Sequence, residues 1–248
     1  MDKKERLNTK KRLIAYIDIL SGKKLIQEDN FDNNLNKVAE IYQCAKNIIN
    51  TATEGNLACS IDFKIFSDNI LLTLTPEIND EKIIDTSIYN FICVLAFIQM
   101  KALERNILLR GGLTIGEICI NETFAWGKGL LTAIDLEEKY AVLPRIIIDN
   151  QAKQQINDII IRDSDKKFPI LQDCDGWLFV DYIGCWGHSH IDKIKKYQIF
   201  LQNELEKEQR NTGVMQKLLW QASYCNNYLM ALEAQKVTTP QIGGLNGY

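Results

Sequence analysis

Residues 13–20 (LIAYIDIL) form an apolar, β-branched run broken by one acid, Asp18, the pattern of a buried central strand. A polar stretch follows, and then a helical spacing runs from about Leu35 to Ile49, with Val38, Ile41, Tyr42, Ala45 and Ile49 on one side. Gly55 and Asn56 break that spacing. The runs 61–67 (IDFKIFS) and 69–75 (NILLTLT) predict two strands meeting in a hairpin at Asp68-Asn69, a dipeptide that tolerates positive φ. Residues 82–105 predict a second helix, and 108–120 (LLRGGLTIGEICI) a long strand carrying Gly111, Gly112 and Gly116. Residues 127–140 repeat at helical spacing until Pro144 stops the helix and introduces the strand RIIID. Further strands are predicted at 158–163 and 177–183, the latter after the turn Asp173-Cys174-Asp175-Gly176.

From residue 190 to 236 the pattern changes to two helices, with a break near Asn211-Thr212-Gly213. The expected division is a core domain over residues 1–189 and a helical extension over 190–248 packed on it. The order of strands and helices predicts an α+β fold, a largely antiparallel sheet with helices on one face. In the extension, Trp220, Tyr224 and Tyr228 recur at i, i+4 and i+8; core packing or a partner interface would produce the same stripe.

Composition narrows the functional classes. A formal net charge of -3 and a pI near 5.6 give no global basic field, which argues against duplex nucleic acid as a partner. Lys3, Lys4, Lys10 and Lys11 lack interleaved aromatic residues to stack on bases and read as a solvated tail. No uninterrupted apolar run reaches about 18 residues and no signal-peptide pattern opens the chain, so a cytoplasmic protein without a membrane partner is expected. The seven cysteines are scattered without CxxC spacing and read as reduced core thiols. Cys185, His188 and His190 lack a fourth ligand and fit no zinc spacing.

Two acids carry the candidate chemistry. Asp18 lies inside an apolar strand and Asp68 at a hairpin tip, 68 − 18 = 50 residues apart. An unpaired buried carboxylate costs several kcal/mol, and a shared metal ion would compensate both. A turn-closing Asp68 and a lysine-paired Asp18 are the plain alternative.

The order of motifs favours the metal. YIDIL on a first strand, FSDNI at a hairpin, LRGGLTIGEI on a later strand and AWGKGLLTAIDLE opening a helix resemble the catalytic domain of class III nucleotidyl cyclases. That family carries FxDIxGF, GD at a hairpin, RxGxxxG, and WG leading into a helix. AYIDIL, FSDNI, LRGG, LEEKYAVLPRIII, DCDG and KLLWQASYCNNY further resemble the pyrimidine cyclases of bacterial Pycsar anti-phage systems. The resemblance implies a class III cyclase-like sheet with a ferredoxin-like core, and an enzyme converting UTP to 3′,5′-cyclic UMP and pyrophosphate, with CTP as the alternative substrate. It also implies two Mn²⁺ or Mg²⁺ ions held by Asp18, Asp68 and the main-chain carbonyl of Ile19. It implies a homodimer with sites at the subunit interface, and a separate effector that senses the cyclic nucleotide.

Departures from the adenylate cyclase pattern bear on the base and the phosphates. Aligned on the Trp-Gly pair, Phe124 stands at the purine-reading acid, and Leu131 and Asp135 at the helix asparagine and arginine. Phe124 accepts no hydrogen bond, and Asp135 would repel a triphosphate. Lys64, four residues before Asp68, stands where a base-reading lysine is often found and suits a uracil carbonyl as well as a purine nitrogen. Arg110, Lys139 (i+4 from Asp135) and Arg145 are the candidate phosphate cations, with ordinary ion pairing as the alternative for each. Asp173 and Asp175 suggest a metal loop or, lacking a downstream acid, a simple turn. With only His188 and His190 available, a histidine general base is not expected. A cyclase-like module that binds nucleotide or dimerises without turnover is the competing class.

Overall fold

The computed structural model describes residues 7–29, 32–54, 59–76, 79–186, 191–208 and 211–238. They form two compact units, residues 1–185 and 186–248.

The first unit is α+β, built on an eight-stranded sheet. Strand β1 (Lys10–Ile19) is central. It pairs antiparallel with β3 (Asn69–Pro76) on one side and with β4 (Leu109–Ile120) on the other. β2 (Cys59–Phe66) extends the sheet beyond β3. On the other flank follow β6 (Ile146–Ile148), the one parallel neighbour, then β8 (Leu178–Val180) and β7 (Ile170–Gln172). A two-residue strand, β5 (Ala125–Trp126), folds back onto the end of β4. The sheet is thus largely antiparallel, as the alternation of runs predicts.

Side chains alternate across β1, placing Arg12, Ile14, Tyr16 and Asp18 on one face and Leu13, Ala15, Ile17 and Ile19 on the other. The second set is buried throughout. Helices α2 (Asn33–Glu54) and α3 (Glu81–Glu104) pack on each other and on β2 and β3. Asp80 caps α3, its carboxylate accepting from the Ile83 N–H at 3.1 Å. α3 is the one helix among the described residues long and apolar enough to cross a membrane, with 61% of that window buried inside the fold. It satisfies the test because a core helix is apolar on most sides.

On the face that carries Asp18, helix α4 (Lys128–Asp135) lies over Ile14, Leu71 and Ile118. Its continuation is a π-helical turn, Leu136–Tyr140, closed by the Ala141 N–H donating to the Leu136 carbonyl at 2.9 Å. Gly112 in β4 makes that approach possible. A Cβ there would fall 2.4 Å from Leu136 Cβ and 2.8 Å from the Ala133 carbonyl oxygen. β4 pairs with β1 without interruption from Lys10 to Ile19, so its glycines serve close packing and not a bulge.

One predicted strand is a helix. Residues 158–162 are the second half of α5 (Asn150–Arg162), and Asp163 follows as its C-cap. Asp149 caps α5 by accepting from the Ala152 N–H at 2.8 Å, and Ala152, Ile156 and Ile159 form its buried face at helical spacing. Three consecutive isoleucines imitate a strand locally, but Ile161 is 80% exposed. At the helix end Arg162 grips Asp85 of α3 at 2.6 and 3.1 Å. The short helix α1 (Gly22–Gln27), β5 and β7 were not legible in the pattern. Gly55 and Asn56 lie outside the described residues.

The cysteines are not uniformly core. Of those whose side chains are described, Cys225 is buried, Cys44, Cys93 and Cys119 are half-buried, and Cys174 and Cys185 are exposed.

The second unit contains α6 (Ile191–Lys207) and α7 (Thr212–Thr238), antiparallel neighbours on either side of the predicted break. Asn211 starts α7, its side chain accepting from the Val214 N–H at 3.3 Å. Trp220 and Tyr224 touch, ring centroids 5.3 Å apart.

Candidate active site

The two aspartates separated by 50 residues come together at one end of β1. Asp18 lies opposite Asn69 of β3 and Arg110 of β4. The β2–β3 turn consists of Ser67 and Asp68, and Ser67 takes the positive φ, 57°; the expected pivot Asp68-Asn69 is thus one residue late. Beyond the last ladder pair, the Ile19 N–H donates to the Asp68 carbonyl at 3.2 Å, fastening the turn to the end of β1. Tyr42 of α2 steadies the same turn by donating its hydroxyl to the Ser67 carbonyl at 3.2 Å. The Asp68 carboxylate lies against Gly22, where a Cβ would fall 2.3 Å from Oδ2. Asn69 Nδ2 donates to Asp68 Oδ1 at 3.3 Å.

Arg110 faces Asp18 across the β1–β4 pair, its Nε donating to Asp18 Oδ2 at 3.2 Å. Its Nη2 is 2.6 Å from Oε1 of Glu137, delivered by the π-helical turn. That contact is an ion pair outside hydrogen-bond geometry, so the oxygen is buried without a hydrogen bond. The sequence does not single out Glu137, which stands as one of two adjacent acids in an amphipathic helix. Its side chain is only 4% exposed. Burial pushes its carboxyl up to about 7; Arg110 opposes this, and Asp18, Glu138 and Asp68 add to it.

The tyrosines report the same negative potential. Tyr42 is pushed up to about 12 by burial and then by Asp68 and Asp18. Tyr16 is raised by burial, with Glu137, Asp18, Glu138 and Asp68 contributing. Four acids therefore act on one small region, with Arg110 as the cation bonded among them.

A divalent cation suits this donor set. Two carboxylates and the neighbouring Ile19 carbonyl offer hard oxygen ligands without sulfur or imidazole, the preference of Mg²⁺ and Mn²⁺. The excess of acid over base supplies the electrostatic reason for a cation to enter. Among the described residues no group of three or more His, Cys, Asp or Glu side chains is arranged to hold a metal.

The remaining candidates lie in different surroundings. Lys64 on β2 donates through Nζ to the Glu122 carbonyl at 2.8 Å, which ties β2 to the β4–β5 turn two residues from Phe124. Phe124 is 39% exposed. Lys139 sits 2.8 Å from Asp135, both more than half exposed, so the acid at the expected arginine position is neutralised within its own helix. Arg145 is buried and paired with Asp173 and Asp175, stacked 5.8 Å from the Phe179 ring centroid. The DCDG segment is therefore a turn that closes over Arg145, and both are consumed in packing. His188 and His190 lie outside the described residues.

No protein-family model and no curated protein matches the chain. Among solved structures, the adenylyl cyclase CyaB from P. aeruginosa is 14% identical, with a TM-score of 0.49 over 71% of this chain and 95% of that one. The guanylate cyclase domain of RhGC from Catenaria anguillulae, in complex with GTP, is 13% identical, with a TM-score of 0.47 over 71% and 96%. A bacterial light-regulated adenylyl cyclase is 14% identical, with a TM-score of 0.46 over 61% of this chain; the chain spans about half, 47%, of that protein.

Proposed function

We propose that this chain is a metal-dependent nucleotidyl cyclase acting on a pyrimidine nucleoside triphosphate, with UTP as the substrate and CTP as the alternative to it. The observation that carries the reading is the hydrogen bond from Ile19 to the Asp68 carbonyl, which fastens two acids from distant segments at one strand end. The sequence motifs around those acids supply the reaction class. In the reaction the 3′-oxygen bonds to the α-phosphorus, the bond to pyrophosphate breaks, and the 3′-hydroxyl proton is lost.

Asp18, Asp68 and the Ile19 carbonyl would hold two Mg²⁺ or Mn²⁺ ions. Bound there, the ions would make the 3′-hydroxyl easier to deprotonate and offset the triphosphate charge. Arg110 presents a guanidinium beside the same acids and would contact phosphate. Lys64 and Phe124 would flank the base, the lysine donating to a pyrimidine carbonyl. Lys139 would reach phosphate by leaving Asp135, an exchange of low cost because exposed ion pairs contribute little. On the sequence resemblance, the working form is a cytoplasmic homodimer with shared sites. Its product would be a messenger in anti-phage defence, read by a separate effector.

Incubating the purified protein with ATP, GTP, CTP or UTP and Mn²⁺ tests this. Cyclic UMP with pyrophosphate is expected. Cyclic AMP as the main product refutes the pyrimidine claim, and no product from any of the four refutes the cyclase. A second reading, a module that binds nucleotide without turnover, is favoured by Asp135 at the position expected for an arginine. Calorimetry showing tight nucleotide binding without pyrophosphate release would establish it.

A further inference from the structure

We infer that Glu137 is a positioning residue that holds Arg110 toward the phosphates of the nucleotide; the inference rests on the cyclase reading for the identity of that ligand. Arg110 is held on two sides, by Asp18 through Nε at 3.2 Å and by Glu137 through Nη2 at 2.6 Å. Asp18 is also the candidate metal ligand, so its oxygens have a competing demand. Glu137 has none, since it is buried behind the arginine at 4% exposure.

The backbone around Glu137 is shaped to deliver it. The helix widens to a π-turn at Leu136–Tyr140, a rearrangement that recurs at functional sites, and Glu137 lies within it, four residues beyond the buried Ala133 and on the same face. Gly112, two residues along β4 from Arg110, admits the start of that turn; a Cβ there would lie 3.3 Å from the Glu137 nitrogen. A surface ion pair would need neither the buried acid nor the close approach. Glu137 and Arg110 therefore act as a unit, with the acid fixing the direction of a side chain that otherwise has several rotamers.

The test is the affinity for tripolyphosphate, measured by calorimetry without metal, for wild type, Glu137→Leu and Glu137→Gln, each also in an Arg110→Ala background. Glu137→Leu should weaken binding by on the order of tenfold, about the low end of the coupling between close charge pairs. Glu137→Gln keeps a carbonyl oxygen toward Nη2 and should restore most of the affinity. Both variants remove the same negative charge, and charge removal alone would tighten binding of a polyanion equally in both. In the Arg110→Ala background leucine and glutamine should be indistinguishable.

Equal affinities of the two variants with Arg110 present overturn the proposal, as does a wild type that binds no tripolyphosphate. So does coupling of Glu137 with Arg110 seen in unfolding but not in affinity, which would describe a purely structural pair. Should Glu137→Leu not fold, Glu137→Gln in the two Arg110 backgrounds decides: an equal shift in both overturns the proposal, and an extra loss confined to the background with Arg110 supports it. Turnover of the four nucleotides by wild type is recorded separately. Its absence refutes the cyclase while the affinity data still judge Glu137.

Discussion

Replacing Glu137 by glutamine should change how the stability of the protein depends on pH. The Glu137 carboxyl is pushed from 4.5 up to about 7, first by burial, with Arg110 opposing and Asp18, Glu138 and Asp68 reinforcing. An acid whose folded value lies above its unfolded value binds its proton more tightly when folded. Its stabilising contribution is full below about 4.5, is lost as pH rises through about 7, and is flat beyond. At about 1.4 kcal/mol per pH unit of difference, the change is on the order of 3 kcal/mol. Urea unfolding followed by tryptophan fluorescence, at pH 4 and pH 8, gives the stability of the variant minus that of wild type at each pH. Acids that do not interact with Glu137 cancel in that difference. It should favour the variant by on the order of 3 kcal/mol more at pH 8 than at pH 4. Equal differences at the two pH values would refute the burial argument. A change of opposite sign would mean that the Arg110 ion pair outweighs burial and holds Glu137 below 4.5.

Three further outcomes are expected. Asp18→Asn or Asp68→Asn should abolish turnover while circular dichroism stays unchanged; retained turnover removes the metal-binding role of that residue. Gly22→Ala should push the Asp68 carboxylate aside, since the new Cβ would fall 2.3 Å from Oδ2, and lower kcat by about 100-fold, the scale of an ångström-level misplacement. An unchanged kcat would show that Asp68 need not sit there. Arg145→Ala leaves Asp173 and Asp175 without their buried cation and should cost about 3–5 kcal/mol in urea unfolding; a loss under about 1 kcal/mol would show that the DCDG turn stands without it.

Much of the core was readable from the sequence because its signals are local. The apolar run around Asp18, the alternation on either side of the hairpin and the i, i+3, i+4 spacing of the long helices all report neighbours within a few residues. The same locality misled at 158–163, where Ile159, Ile160 and Ile161 look β-branched and strand-like. The cap at Asp149 and the grip of Arg162 on Asp85 belong to a helix. Asp18 and Asp68 stood out because an acid in an apolar strand and an acid at a turn are each anomalous in their own context. Glu137 did not, because LEEKY is an ordinary surface pattern, and its burial appears only where the end of the helix packs against β4 and Arg110.

The sequence by itself therefore determined the fold class, because hydrophobic period carries it directly, and it singled out the two aspartates by their local polarity. Only the tertiary structure decided which cations and acids meet. It joined Asp18 to Arg110 and Glu137, sent Arg145 to Asp173 and Asp175, and paired Lys139 with Asp135. The physical reason is that an ion pair depends on strand register and helix phase, and both are set by which strands pair across a sheet and how closely a glycine lets a helix approach.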